Sequence, residues 1–254
     1  MKSRSLFNYI YAIYSLYELR YGKVLLNNYG YSPTEITKEN ALQLQFYTEL
    51  MKAGEVSQTD ALNICEVGCG QGHGGIYLLN NILSDKCQFT GLEGSDVAFL
   101  YCKFKHRKQK NARFILNRQG VPSPDNYFDV FISLETGIPR DDEQLKEIYR
   151  SLKPSGAFIF YETYDMAHDS EPDAQLKNAG FNIVKKTNVT ANILGSMVED
   201  NGRKLKYLSK LWFLPKKTQT YLGNYWGMVD SKKFEIYSNN HRNGFIYVIT
   251  KPAV

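Results

Sequence analysis

The stretch Ile64-Cys65-Glu66-Val67-Gly68-Cys69-Gly70-Gln71-Gly72 constrains the fold more than any other part of this 254-residue chain. An apolar run leads directly into a loop of alternating glycines, and a helical segment follows. Glycine accepts the left-handed backbone that a sharp turn needs and leaves no Cβ in the way of a ligand. A strand that turns so tightly into a helix is the opening unit of a parallel sheet with crossover helices. From Ala61 onward, short apolar runs alternate with amphipathic segments in the same sense. The pattern predicts strands at 62–67, 88–92, 113–116, 128–134, 157–161, 181–184 and 245–250, with helices near 73–84, 96–108, 142–152 and 172–179. The helix at 142–152 has a start in Asp141 and Asp142, an apolar stripe in Leu145, Ile148, Tyr149 and Leu152, and a stop in Pro154 and Gly156.

The expected fold is therefore α/β, a Rossmann-like sheet that is mostly parallel with an antiparallel last strand. Residues 1–60 read as an N-terminal helical lid or cap, and 61–187 as the core. Residues 188–240 read as a helical insertion covering the substrate, and 241–254 as the final strand. An insertion between the last two strands lies near the carboxyl edge of such a sheet, where ligands bind.

Composition narrows the partners. With 43% hydrophobic and 22% charged residues, a chain of this length buries a core without a metal or disulfide staple. The net charge of +5 is mildly basic, and the one dense basic run, Lys105 to Lys110, reads as decoration of a helix end. No basic face interleaved with aromatics is evident, so nucleic acid is not expected. Cys65, Cys69, Cys87 and Cys102 form no CxxC pair and only four histidines are present, which argues against a metal site and for reduced thiols in the cytoplasm. No apolar run is long enough to cross a membrane. The first twenty residues begin like a secretion signal, but Asn8, four tyrosines, Glu18 and Arg20 contradict that reading. Leu6, Ile10, Ile13 and Tyr17 share a helical face instead. The plain reading is a helix packed on the core; the sharper ones are a lid over a greasy pocket and a helix lying on a membrane surface. The sequence is compatible with a homodimer.

Three features choose the ligand. The glycine loop has His73 where the dinucleotide fingerprint needs its third glycine, and Glu66 stands two residues before Gly68. That spacing suits a cofactor carrying a cationic amino acid rather than a pyrophosphate, namely S-adenosylmethionine. Gly68, Cys69, Gly70 and Gly72 would then form its cradle. A second apolar run ends in Glu93-Gly94, where a carboxylate accepts hydrogen bonds from both ribose hydroxyls. A third stretch, Asn117 to Asp129, places Asn117 as an acceptor for an adenine amino group, with Arg118 and Gln119 flanking the ring by backbone. Ser133 lies at the end of the following strand.

The stretch from Asn117 to Ser133 resembles the G-D-A-x-x-L-P-F-x-D-x-S-F-D-V-V segment of many small-molecule methyltransferases, with Asn117 in place of the usual Asp. Four further stretches make the resemblance narrower. They are Asn28-Tyr29-Gly30-Tyr31, Gly70-Gln71-Gly72-His73-Gly74-Gly75, Asp173 to Ile193, and Phe245 to Pro252. Through them the chain resembles the class I methyltransferases that comprise the phthiotriol/phenolphthiotriol dimycocerosate methyltransferases and the fatty-acid O-methyltransferases. The resemblance implies transfer of a methyl group to a hydroxyl of a lipid- or polyketide-like molecule, with Tyr29 in a lid motif at the methionyl end of the cofactor.

The group often carries I-E-A-S-H-C-Y-P after the fourth strand, whereas this chain has Leu134-Glu135-Thr136-Gly137-Ile138-Pro139 and lacks the histidine. A neutral alcohol must lose a proton to become a nucleophile. Glu135 is the first candidate for that base, with a role in holding the lid or a methionyl ammonium as its plainer alternative. His73 is a weaker candidate, and His168 and His241 lie in expected loops. The aromatics of the insertion, including Trp212, Tyr221, Tyr225 and Trp226, read as core before they read as a cage for a cation. The acceptor pocket is expected to be mostly apolar. Competing readings are an N-methyltransferase acting on a small amine, an S-adenosylmethionine-binding protein without catalysis, and a nicotinamide oxidoreductase, the last disfavoured by His73.

Overall fold

A computed structural model describes residues 2–117, 120–137, 141–166 and 171–253. Two helices, α1 (Lys2–Tyr21) and α2 (Ala41–Ala53), precede the sheet. The alternating part follows as β1 (Asn63–Val67), α3 (His73–Asn81), β2 (Gln88–Glu93), α4 (Asp96–Lys105), β3 (Ala112–Leu116), β4 (Phe128–Leu134), α5 (Asp142–Ser151), β5 (Leu152–Asp165), α6 (Glu171–Asn178) and β6 (Asn182–Asn188). Four helices then interrupt it: α7 (Thr190–Glu199), α8 (Asn201–Lys210), α9 (Lys216–Tyr225) and α10 (Lys232–Ser238). The chain returns as β7 (Arg242–Thr250).

The strand order is β3-β2-β1-β4-β5-β7-β6. β1 pairs in parallel with β2 and β4, while β7 runs antiparallel to both β5 and β6. This is the Rossmann-like sheet, mostly parallel with an antiparallel last strand, that the sequence leads one to expect. The order reverses between β1 and β4, and a crevice opens there at the carboxyl ends of the strands.

The central strands are apolar on both faces because both faces are covered. On one side Phe46, Leu50, Leu78, Phe89, Ile132 and Ile159 form a core with α2 and α3. On the other, Phe131, Leu145, Ile148, Phe158, Leu176 and Tyr247 pack with α5 and α6. Asp141 caps α5 by accepting from the backbone N–H groups of Glu143 and Gln144. β5 begins five residues before the expected Ala157, because Leu152 already pairs with Phe128 ahead of an irregularity in the ladder.

A third cluster joins α1, the insertion and Ala98 of α4. Ile10, Tyr14 and Tyr17 of α1 pack with Tyr207, Leu211, Leu222 and Trp226 of the insertion. The two segments outside the βαβ core thus fold against each other. Leu6, expected on the buried face of α1, is exposed, and Trp212, expected in the core, protrudes into solvent. No described helix is long and apolar enough to cross a membrane.

Candidate active site

A cavity of about 550 Å³ lies over the carboxyl ends of β1, β2 and β4, within the size range of small-molecule sites. The sheet supplies its floor. α1, the 25–29 segment, Gln43 of α2, and α8, α9 and α10 supply its roof.

At one end the glycine loop turns under the cavity. Gly68, Gly70 and Gly72 all have positive φ, the conformation that favours glycine. A Cβ on Gly70 would meet the Tyr11 hydroxyl of α1 at 2.7 Å, so the loop closes directly against the cap. Glu93 is buried at the end of β2, where its two carboxylate oxygens accept from the N–H groups of Gly70 and Ser95, both at 2.7 Å. Burial raises the Glu93 pKa and these backbone donors oppose the rise. Beyond β3, the Asn117 side-chain oxygen is buried with no hydrogen-bond partner among the described residues. Such an orphan acceptor in a cavity wall marks a place where a ligand donor fits.

The other end centres on Glu135, just past β4. Its φ of 58° is unusual for a residue with a side chain, and such strain gathers at functional sites. Its Oε1 accepts the Tyr29 N–H at 3.2 Å, and Tyr29 is held in turn by Ser196, whose hydroxyl donates to the Tyr29 carbonyl at 2.8 Å. Burial pushes the Glu135 pKa up to about 8, with the Tyr29 N–H and the Lys233 and Lys204 charges opposing it. Lys204, almost fully buried on α8, donates to the Trp226 carbonyl at 2.8 Å. Burial outweighs its attraction to Asp200 and Glu135 and brings its pKa down to about 8. Glu162, Tyr225, Trp226, Lys233 and Tyr237 complete this end.

The expected site residues divide into groups. Tyr29, Gly68, Cys69, Gly70, His73, Glu93, Gly94, Asn117 and Glu135 all line the cavity. Glu66, Gly72 and Ser133 do not. Glu66 is buried behind the loop, where it accepts from the Tyr47 hydroxyl at 2.7 Å and burial raises its pKa to about 7. The open face of Gly72 meets the ring of Phe114 rather than the cavity. Ser133 is fully buried against the Thr136 hydroxyl. Arg118, Gln119 and His168 lie outside the described residues. His241 does not line the cavity.

His73 is corrected as a proton acceptor. Burial, then the neighbouring His106, drive its pKa down to about 3, so its neutral ring is a very weak base. Its Nε2 lies 2.9 Å from the Tyr101 hydroxyl, which itself donates to Glu18. With the Tyr101 proton used there, Nε2 of His73 is the donor of that pair.

The end around Glu135 is less apolar than the acceptor pocket expected from the sequence, since Glu162, Arg203, Lys204 and Lys233 also line the cavity. Sequence reasoning missed these apart from Glu135. The one available signal was the absence of any acidic residue between Asp200 and Asp230 beside Arg203 and Lys204. That pattern marks a charged surface without saying that Lys204 turns inward.

A family model described as a methyltransferase domain matches residues 58–211. A fatty-acid O-methyltransferase of Mycolicibacterium smegmatis is 25% identical over 191 residues, spanning 72% of this chain and 69% of its own. A phthiotriol/phenolphthiotriol dimycocerosates methyltransferase of Mycobacterium tuberculosis is 29% identical over 99 residues, 38% of this chain and 36% of its own. Among solved structures, the 4+2 cyclase SpnF superposes with a TM-score of 0.78 at 17% identity, over 99% of this chain and 96% of that one, a likeness of fold.

Proposed function

The chain belongs to the methyltransferase-domain family and uses S-adenosylmethionine, and we propose that it methylates a hydroxyl of a hydrophobic, lipid- or polyketide-like small molecule. The observation that carries the reading is Glu135, a half-buried carboxyl with positive φ on the cavity floor, its pKa raised to about 8 by the low-water surroundings.

The residues of the other end suit the cofactor. The Glu93 carboxylate, which also takes backbone donors from Gly70, Ser95 and Gly94, lines the cavity as an acceptor for the ribose hydroxyls. The Asn117 oxygen is a free acceptor for an adenine amino group. When bound, S-adenosylmethionine supplies an electrophilic methyl group on a good leaving group. The protein then has to align the nucleophile, exclude water and take up one proton. Glu135 is the group we assign to the proton, since the pKa of about 8 makes its ionised form a stronger base than an exposed carboxylate. Lys204 and Lys233 stabilise that ionised form by their charge. Tyr29 and the α8–α10 roof exclude water. The acidic pair Glu135 and Glu162 beside the rings of Tyr29, Tyr225 and Tyr237 favours an amine acceptor as the second reading.

The test is a transfer assay with methyl-labelled S-adenosylmethionine against long-chain alcohols, fatty acids, polyketide alcohols and amines. Label in ethers or esters of the hydrophobic acceptors is expected. Label confined to amines would replace the proposal with the second reading. Calorimetry that detected tight NAD binding without S-adenosylmethionine binding would overturn both.

A further inference from the structure

The outer side of the cap carries a surface that methyl transfer does not use. Between Asp200 and Asp230 the insertion holds six basic residues and no acidic one. Arg203 and Lys204 pair with the buried Asp200. Lys206, Lys216 and Lys217 are exposed and Lys210 is half-exposed with its ammonium 4.8 Å from the Tyr21 ring centre; none has a carboxylate partner among the described residues.

In their midst, the turn between α8 and α9 holds Trp212 out at 73% exposure and Phe213 at 39%. The neighbouring Leu211 is fully buried, so the turn is anchored and the tryptophan is presented to solvent. The outer face of α1 continues the patch with Leu16 at 45% and Leu19 at 85%. Along this outer side the two segments touch directly. The Arg20 guanidinium lies 6.0 Å from the Phe213 ring centre, the Tyr21 hydroxyl donates to the Lys210 carbonyl at 3.0 Å, and the Tyr9 and Thr218 hydroxyls are 3.4 Å apart.

An anchored, exposed tryptophan in an apolar patch rimmed by unopposed cations is not the usual surface of a monomer. Tryptophan favours the headgroup level of a bilayer, where its ring is in an apolar region and its N–H is wet. Lysines beside it are attracted to anionic headgroups. We infer that this face, the 212–213 turn with the outer side of α1, docks the protein on the surface of an anionic lipid bilayer. The same helices line the cavity with Tyr11, Lys204 and Tyr225 on their inner side. Docking therefore sets the roof of the site against the bilayer. The inference does not depend on which acceptor is methylated.

The experiment uses the full chain with sedimented vesicles of phosphatidylcholine alone or mixed with phosphatidylglycerol, at low and high salt. Binding to the mixed vesicles, weakened by salt, is expected, with a blue shift of tryptophan emission that Trp212→Phe removes. Trp212→Ala with Phe213→Ala, and separately Lys216→Glu with Lys217→Glu, should each reduce the vesicle partition coefficient by roughly tenfold or more. These side chains are exposed, so circular dichroism and S-adenosylmethionine affinity should stay as in the parent. Absence of binding to the mixed vesicles, equal binding to neutral vesicles, or binding unchanged in both double variants would each overturn the inference. A concentration-dependent dimer abolished by Trp212→Ala, without vesicle binding, would assign the face to a second copy of the chain instead.

Discussion

Glu135→Gln separates the ionisation of this side chain from its packing. The amide keeps the shape and can still accept the Tyr29 N–H, but it cannot lose a proton. In the parent, burial moves the carboxyl pKa from 4.5 to about 8. At about 1.4 kcal/mol per pH unit, holding it ionised in the closed site costs on the order of 5 kcal/mol, and water in the cavity reduces this to a few kcal/mol. The unfolded chain sheds this proton near its ordinary value, while the folded chain keeps it up to about pH 8. Stability from Glu135 is therefore fully present below the ordinary value and is lost as pH rises to about 8. Denaturant unfolding across this range should show Glu135→Gln gaining a few kcal/mol on the parent, with no further gain above pH 8. The kcat profile of the parent should climb to a plateau above about pH 8, and the variant should fall by roughly 10²–10⁴-fold and lose that ionisation. A stability difference that stays flat with pH would refute the desolvated-carboxyl reasoning. An unchanged kcat in the variant would refute the role as base.

Glu93→Ala should weaken S-adenosylmethionine binding at least tenfold by calorimetry, since two hydrogen bonds to a carboxylate are together worth about 2–4 kcal/mol; an unchanged dissociation constant would remove Glu93 from the site. Gly75→Ala should destabilise the fold by about 1–3 kcal/mol in thermal or denaturant unfolding, because the new Cβ would stand 2.0 Å from the buried Phe89 ring; a stability equal to the parent would show that the sheet yields there. Deleting residues 1–31 should abolish turnover and weaken S-adenosylmethionine binding while the sheet still folds, because α1 packs on the insertion and on α4 and not on the strands; full methyl transfer by the truncated protein would refute the cap.

The sheet was legible because periodicity and punctuation agreed at the first four strands, while β5 and β6 run beyond their apolar stretches. The apolar run 62–67 ends at glycines and the run 88–92 at Glu93, which leaves little freedom over direction or register. The loop residues that reach the cavity were legible for the same reason, since a tight turn leaves few places for Gly68, Gly70 and Glu93 to go. Glu66 was misread because spacing along the chain does not say which face of a strand a side chain takes, and this one turns back to Tyr47. Lys204 and Lys233 were illegible because their burial depends on how α8 and α10 pack across the cavity mouth, a contact between segments far apart in sequence. Trp212 was misread in the opposite sense. A lone tryptophan in a helical stretch is more often core, and only the path of the turn shows that Leu211 fills that place.

With Glu135 as the proposed base, the roof of the cavity and that carboxyl are tied together by hydrogen bonds. Ser196 of α7 holds the Tyr29 carbonyl, and the Tyr29 N–H reaches Glu135. Gln43 of α2 donates to Asp200 at 2.9 Å and accepts from Arg203 at 2.9 Å, which fixes α8 over the same end of the cavity. These bonds cross between the N-terminal segment and the insertion. Parting them would admit water to Glu135 and return its pKa toward the ordinary carboxylate range, because burial is the largest cause of the rise. An open site would then hold an ionised but weak base, and a closed one a base whose strength comes from exclusion of water. Under that proposal closure would supply proton affinity at the moment water is removed, and the proton would have a destination without a histidine after β4.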